Sequence, residues 1–372
     1  SQSRYQAGAH DDYCLSLNTE ILTKRGFLKY NELTENDLVA KVENNKITYV
    51  KPNKVILKDY EGKMYRFKSK DLCLEVTENH KMLLRDKAKR EIIALSQELT
   101  LKSSKTLYSN FSIPVAPIQD EKEYPISDEL LKLCAWLITE GWINKDNKYN
   151  SYRYSVAQLS NKEGHNRISS YIAKLKLEPY VYTRGDGVTY WTFHKKDNEL
   201  FDSILKEGIH RIPREWLSNL SQRQLKLLLD ELMLGDGTLS RNTYHTKSLE
   251  LARDFQELAH KVGIKTSIRE QVRHNHTIYA CYLMKQDETR IQSYDEYYYK
   301  GKVWCVNVDN GFIVTRCDNK IAVTGNCDSL ALAVWGARGD EVYRPVTEKE
   351  NIYKTKGNQF VLAKNNFTAK RR

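Results

Sequence analysis

The chain has 372 residues, 40% of them hydrophobic and 29% charged, and a formal net charge of +11. That length calls for two or more cores, and no apolar run approaches the roughly 18 residues that cross a bilayer, so no membrane partner is expected. The basic excess points instead to a polyanionic partner such as DNA or RNA. No basic, apolar, small-residue signal opens the chain, which implies a cytoplasmic protein. The seven cysteines, Cys14, Cys73, Cys134, Cys281, Cys305, Cys317 and Cys327, lack the close pairing of zinc sites and fit a reducing compartment in which thiol chemistry is available.

In chain order, Ser1 to Tyr13 is polar, too short to fold alone, and reads as a flank. From Cys14 to about Pro117 short strands are predicted at Asp37 to Val42, Ile47 to Val50, Lys63 to Phe67, Leu72 to Val76 and Lys81 to Leu84. Turns are expected at Glu43, Asn44, Asn45 and at Glu61, Gly62, giving an all-β unit. Ser127, Asp128 and Glu129 then start a helix whose apolar face is Leu130, Leu133, Leu137 and Ile138 and which stops at Gly141. A second copy begins with the capping box of Ser221 and Gln224, continues through Leu225, Leu228, Leu229, Leu232 and Met233, and ends at Gly235, Asp236, Gly237. Each helix is followed by a polar segment, another helix (near Glu163 to Leu175 and near Ser248 to Val262) and β-prone runs. This pattern implies an internal duplication with pseudo-twofold architecture. After Tyr299 strands return at Val303 to Val308, Phe312 to Thr315 and Ile321 to Val323. Lacking a core of their own, they are expected to complete the first β unit and to bring Cys14 and Asn326 together. Past Cys327, Asp328 to Ala337 reads as an apolar helix and Lys349 to Arg372 as a basic tail.

The chemistry-bearing stretch is Gly325, Asn326, Cys327. An Asn side chain can close on its own backbone carbonyl as a succinimide and release the next residue, which here carries a thiol. Alone, a buried Cys is usually packing, and Thr77 with His80 three residues on is usually a strand end. Cys14, Thr77, His80, Asn326 and Cys327 together form a pattern that packing does not require.

On these residues the chain resembles an intein carrying a LAGLIDADG homing endonuclease. The splicing motifs appear as Cys14 to Phe27; Thr77, Glu78, Asn79, His80; Val303, Trp304, Cys305, Val306; and Val323, Thr324, Gly325, Asn326 before Cys327. The resemblance implies autocatalytic splicing without a cofactor. Cys14 attacks the Tyr13 carbonyl, with Thr77 holding that carbonyl and His80 protonating the departing nitrogen. Cys327 then takes over the upstream acyl group, with Cys305 relaying a proton or activating it, and Asn326 cyclises. Gly325 departs from the family, which commonly has His there, and a histidine usual in the third motif has no match in Asn307 to Phe312.

The endonuclease motifs read Leu133 to Gly141 and Leu229 to Gly237, which implies that Glu140 and Asp236 sit at the ends of two packed helices and bind Mg²⁺ for hydrolysis of a scissile phosphate. Ala135 and Glu231 replace the glycine expected at the close helix contact. Lys195 and Lys285, at equivalent places in the two repeats, are candidates for transition-state stabilisation. The β-prone segments carry Arg153, Arg184, Arg269 and Arg273 among aromatics, suited to contacts with double-stranded DNA. The implied partner is a long asymmetric target in the uninterrupted host gene, cut by a monomer. Tyr294 to Tyr299 is expected to pack at the domain junction.

The overall expectation is an α+β, multidomain chain. An all-β Hint horseshoe (residues 14–118 and 300–326) is interrupted by a pseudo-twofold α/β endonuclease domain (119–299) and lies between flanks 1–13 and 327–372. Joined, the flanks place Asp12 and Asp328 in a motif resembling the metal-binding acids of phage terminase large subunits. Two alternatives remain: a DNA-binding endonuclease-like protein whose splicing has decayed, and a fragment of a DNA-packaging nuclease.

Overall fold

The computed structural model describes residues 13–273 and 275–327, together with the strands Tyr353–Lys356 and Gln359–Leu362. The expected acids Asp12 and Asp328, the helix over 328–337, most of the two flanks and His274 lie outside the described residues. The chain divides into two compact units, Ser1–Pro114 with Glu288–Arg372, and Val115–Asp287.

The first unit is almost all β. The strands Leu15–Ser16, Ser293–Asn307, Lys54–Ser69 and Leu72–Thr77 close into a barrel. Lys46–Val50, Val39–Glu43, Glu20–Thr23, Phe312–Cys317 and Lys320–Thr324 follow one another in a second sheet, and Glu288–Arg290, Ser112–Pro114, Lys81–Arg85 and Glu91–Leu95 form a four-stranded third. The late strands therefore pair with early ones: Ile21 lies opposite Thr315, and Trp304 opposite both Leu15 and Leu57. Met64, Phe67, Leu74, Val76 and Trp304 fill the centre and are fully buried. The turn at Asn44 and Asn45 forms, with both residues left-handed, as hairpin geometry demands.

Glu61 and Gly62, expected as a turn, instead lie within the 16-residue strand Lys54–Ser69. Gly62 faces Tyr299 across the ladder and Gly301 faces Tyr60. Each tyrosine folds along its own strand, Tyr60 Oη donating to the Lys63 carbonyl at 2.7 Å and Tyr299 Oη to the Lys302 carbonyl at 2.9 Å. The aromatic rings cover the glycines that the ladder would otherwise leave bare. The Tyr294 to Tyr299 run belongs to the same ribbon, and Tyr294 packs on Tyr65 and Phe67 inside this unit. Two cysteines far apart in sequence, Cys73 and Cys317, are joined as a disulfide with their Cα atoms 5.5 Å apart.

The second unit contains the duplication. Helix Asp128–Glu140 starts on the Ser127 cap and helix Gln222–Asp236 on the Ser221/Gln224 capping box, each by a side chain accepting a first-turn N–H. The sheet order after the first helix is Gly141–Asp146, Ser151–Leu159, Val188–Thr192, Tyr180–Thr183. After the second it is Gly237–Thr238, Thr243–Thr246, His276–Met284, Lys265–Arg273, so both repeats place their third and fourth strands in the same exchanged order. Helices Glu163–Lys174 and Leu249–Lys261 occupy the same place in each repeat. No helix of the described residues is long and apolar enough to cross a membrane.

Candidate functional site

In the first unit, Cys14, Cys305 and Cys327 are all buried and outside the disulfide. Cys14 is clipped from both sides by the end of strand Leu72–Thr77: its N–H donates to Thr77 Oγ1 at 3.0 Å, and its carbonyl accepts the Thr77 N–H at 3.1 Å. Thr77 thus meets the nitrogen of the Tyr13–Cys14 peptide, where sequence reasoning puts its hydroxyl on the carbonyl. The Tyr13 carbonyl oxygen instead lies 3.1 Å from Cys327 Sγ. The Cys327 thiol interacts with the thiols of Cys14 and Cys305, and burial first, then these neighbours, push its pKa well above the ordinary thiol value. Cys305 Sγ itself reaches the Val306 carbonyl at 3.4 Å.

His80 is fully buried, and its Nε2 lies 2.8 Å from Thr324 Oγ1. Burial lowers its pKa to about 3; the Tyr13 backbone pulls the other way, and the Lys81 charge adds to the lowering. The imidazole is therefore neutral at rest. Its Nδ1 makes no hydrogen bond of ordinary geometry, although the Tyr13 backbone lies near enough to favour protonation. The turn carrying it is braced by Ser96, whose hydroxyl donates to the Thr77 and Glu78 carbonyls at 2.7 and 2.6 Å.

Asn326 is 2% exposed, its Nδ2 donating to the Gly311 carbonyl at 2.6 Å while its Oδ1 is buried without a partner. That contact aims the amide and leaves its oxygen in want of a donor. A Cβ on Gly325 would fall 2.5 Å from the Lys81 carbonyl oxygen and 2.7 Å from the Lys81 Cβ, while the Gly325 N–H already donates to that carbonyl at 3.0 Å. The histidine expected at this position has no room.

Sequence reasoning gave no role to Asn307, Lys81 or Thr324, the last of which it quoted only as part of a motif. Asn307 Nδ2 donates to the Cys327 carbonyl at 3.1 Å, and Asn53 Nδ2 holds Asn307 Oδ1 at 3.0 Å. The stretch Asn307 to Phe312 contains no histidine, and from it the Asn307 amide reaches the Cys327 carbonyl.

In the second unit, Glu140 and Asp236 are the last residues of the two motif helices. Burial raises the Glu140 pKa, with Lys162 opposing. Burial and then repulsion by Glu140 push Asp236 up to about 7. The two carboxyls are near enough to repel, so the pair resists a second negative charge. Tyr244 is buried with an unpartnered hydroxyl, and its pKa is raised by burial and then by the charges of Asp236 and Glu140. Two mutually repelling acids and an orphaned hydroxyl are a donor set that a divalent cation and its waters would satisfy. A pocket of about 530 Å³ opens beside Asp236, lined also by His210, His245 and Lys247, none of which sequence reasoning singles out.

The two helices touch where Gly235 meets Thr139, since a Cβ there would fall 2.4 Å from Thr139 Oγ1. Glu231 instead anchors a buried polar cluster: its Oε1 accepts from Trp136 Nε1 and from Tyr171 Oη, each at 2.8 Å, and its Oε2 lies 3.6 Å from Arg167. Among the predicted DNA contacts, Arg153 stacks over Tyr180 at 5.1 Å and Arg269 over Tyr282 at 4.5 Å, while Arg184 pairs with Asp186. Arg273 ends strand Lys265–Arg273. Lys195, which opens a 3₁₀ turn, and Lys285, which follows strand His276–Met284, are exposed.

The chain is similar to the ribonucleoside-diphosphate reductase subunit beta of Aquifex aeolicus (strain VF5), 26% identical over 369 residues, covering 85% of this chain and 50% of that one. It is also similar to the ATP-dependent Clp protease proteolytic subunit of Chlamydomonas moewusii, 26% identical over 294 residues, covering 70% of this chain and 29% of that one. The chain thus spans half or less of the length of these curated relatives. Among solved structures, the homing endonuclease I-DmoI in complex with DNA and Mn aligns at 16% identity and TM-score 0.34, covering 42% of this chain and 89% of that one. The AceL NrdHF class 3 split intein aligns at 15% identity and TM-score 0.24, covering 49% and 98%. Residues 223–298, which begin in the second motif helix and include all four strands of the second repeat, match the LAGLIDADG-like domain family.

Proposed function

We propose that residues 14–326 are a self-excising intein. In this reading a Hint-type splicing domain of residues 14–118 and 300–326 carries a LAGLIDADG homing endonuclease of residues 119–299, between host flanks 1–13 and 327–372. The observation that carries it is the meeting of Cys14, Cys305, Cys327 and the Asn326 amide around the Tyr13 carbonyl and the Asn326–Cys327 junction. The relatives add support: two proteins named for unrelated activities match this chain over most of its length and over half or less of their own, as a segment inserted into different hosts would.

In the first step Cys14 Sγ bonds to the Tyr13 carbonyl carbon and the Tyr13–Cys14 amide breaks, leaving a thioester and a free Cys14 amine. Neutral His80 takes the proton from the attacking thiol and passes it to the departing nitrogen, which Thr77 Oγ1 already holds. Cys327 Sγ then attacks the thioester carbonyl and releases the Cys14 thiol. The Asn326 side-chain nitrogen next bonds to its own backbone carbonyl carbon; the bond to Cys327 breaks, leaving a succinimide and a free Cys327 amine. Gly311 aims that nitrogen, a gain of the kind that can be worth effective molarities on the order of 10⁵ M. Attack of the Cys327 amine on its own thioester completes the ligated flanks.

In the endonuclease unit Glu140 and Asp236 would hold a divalent cation, Mg²⁺ by expectation, which when bound supplies an activated water and charge for a leaving phosphate oxygen. Arg153, Arg269 and Arg273 lie on sheets suited to double-stranded DNA, and Lys195 and Lys285 are reserved for the developing phosphate charge. The joined flanks are assigned to a host resembling a terminase large subunit. Mass measurement of purified chain warmed in reducing buffer tests the splicing reading: an excised 14–326 piece and a ligated flank peptide are expected. Persistence of intact chain alone, unaffected by Cys14→Ala, refutes it. For the nuclease, Glu140→Gln and Asp236→Asn should each abolish Mg²⁺-dependent cutting of the uninterrupted host gene.

A further inference from the structure

Lys81 is a charged residue in a place where charge is costly. It is 3% exposed, directly follows His80, and opens strand Lys81–Arg85, where it lies opposite Leu95. Its main chain serves the downstream junction, the carbonyl accepting the Gly325 N–H at 3.0 Å and the Thr324 hydroxyl at 3.4 Å. Its side chain turns to the upstream junction, Nζ standing 4.7 Å from the centroid of the Tyr13 ring. An ammonium held out of water is stabilised by the negative face of an aromatic ring, and more so as the site dries.

We propose that Lys81 is a specificity-determining residue that selects an aromatic side chain at position 13, the residue whose carbonyl is attacked. This rests on the splicing reading and sharpens it: the same residue fixes the backbone of one scissile junction and reads the side chain of the other. Tyr13 docked on Lys81 places its carbonyl beside Cys327, whereas an aliphatic residue there offers the ammonium no ring and leaves the carbonyl less firmly placed.

The test uses the full chain and measures, by mass, the rate at which added thiol cleaves the 13–14 bond. Tyr13→Phe should match the parent within about twofold and Tyr13→Leu should be about fivefold slower, the loss expected of one desolvated cation–π contact. In the Lys81→Met background the ratio of the rate with Tyr13 to the rate with Tyr13→Leu should fall to about one, and Lys81→Arg should restore it. Any change in the field at His80 affects both members of that ratio alike, so a structural role for Lys81 leaves the ratio standing, and a standing ratio overturns the proposal. If Lys81→Met does not fold, Tyr13→Phe and Tyr13→Leu in the otherwise unchanged chain decide: equal rates overturn the proposal. A parent chain that never cleaves at 13–14 defeats the splicing reading itself and the proposal with it, an outcome distinct from cleavage without preference.

Discussion

Cys327 Sγ lies 3.1 Å from the carbonyl oxygen of Tyr13, although 314 residues separate them. In the proposed splicing order the second nucleophile is therefore in place before the first acts. Thioester formation at Cys14 does not need the Cys327 thiol, so Cys327→Ala should stop ligation and leave thiol-induced cleavage at 13–14 within severalfold of the parent. Cys14→Ala should remove that cleavage entirely. Timed mass spectra with dithiothreitol separate the two variants.

Gly325 packs against Lys81 with no space for a Cβ. Gly325→His should therefore fail to accelerate Asn326 cyclisation and should destabilise the first unit, by about 1–3 kcal/mol as overpacking does. Urea unfolding and the rate of release of the C-terminal flank check both parts.

Burial, and then the neighbouring Glu140, push the Asp236 carboxyl up to about 7 from the 3.8 of an ordinary aspartate. Between those values the native state holds a proton that the unfolded chain lacks. The contribution of this group is thus most favourable below about pH 4 and is lost as pH rises to 7. Asp236→Asn should raise the stability of the second unit above pH 7, by about 2–4 kcal/mol. Mg²⁺ should stabilise the parent at pH 8 more than at pH 5 and leave the variant unchanged. Thermal unfolding at two pH values, with and without Mg²⁺, reads these differences.

Glu231 accepts two hydrogen bonds from buried donors on helices Asp128–Glu140 and Glu163–Lys174. Glu231→Leu should cost about 2–4 kcal/mol because the Trp136 and Tyr171 donors lose their acceptor, whereas Glu231→Gln keeps an oxygen there and should cost less. Chemical denaturation of the full chain, followed by tryptophan fluorescence, distinguishes them.

The motif helices are legible in the sequence because their signals are local: a Ser cap, an apolar face at helical spacing, an acid and a Gly at the end. The long ribbon is legible only in part, at Lys63 to Phe67 and Val303 to Val308. Along it Lys63 and Glu296, Lys68 and Asp295, and Lys302 and Asp59 pair across strands in the open, so charge masks the apolar alternation in the rest and Gly62 imitates a turn. Residues proposed to act through side-chain chemistry, such as Cys14, His80 and Asn326, can be named from their types. The Gly311 and Lys81 carbonyls cannot, since every residue has a carbonyl and only the fold decides which one matters. Asn307 escapes a search for histidine because its amide, not an imidazole, meets the Cys327 carbonyl.

The Cys73–Cys317 disulfide closes a covalent ring that contains the whole of Val115–Asp287. In the oxidised chain, a single break in the backbone anywhere between these two cysteines opens that ring without parting the molecule. The strands bearing Thr77 and Thr324 stay tethered, each on its own side of the sulfur bridge. If residues 14–326 are excised as proposed, the oxidised product would be a loop with a tail at each end.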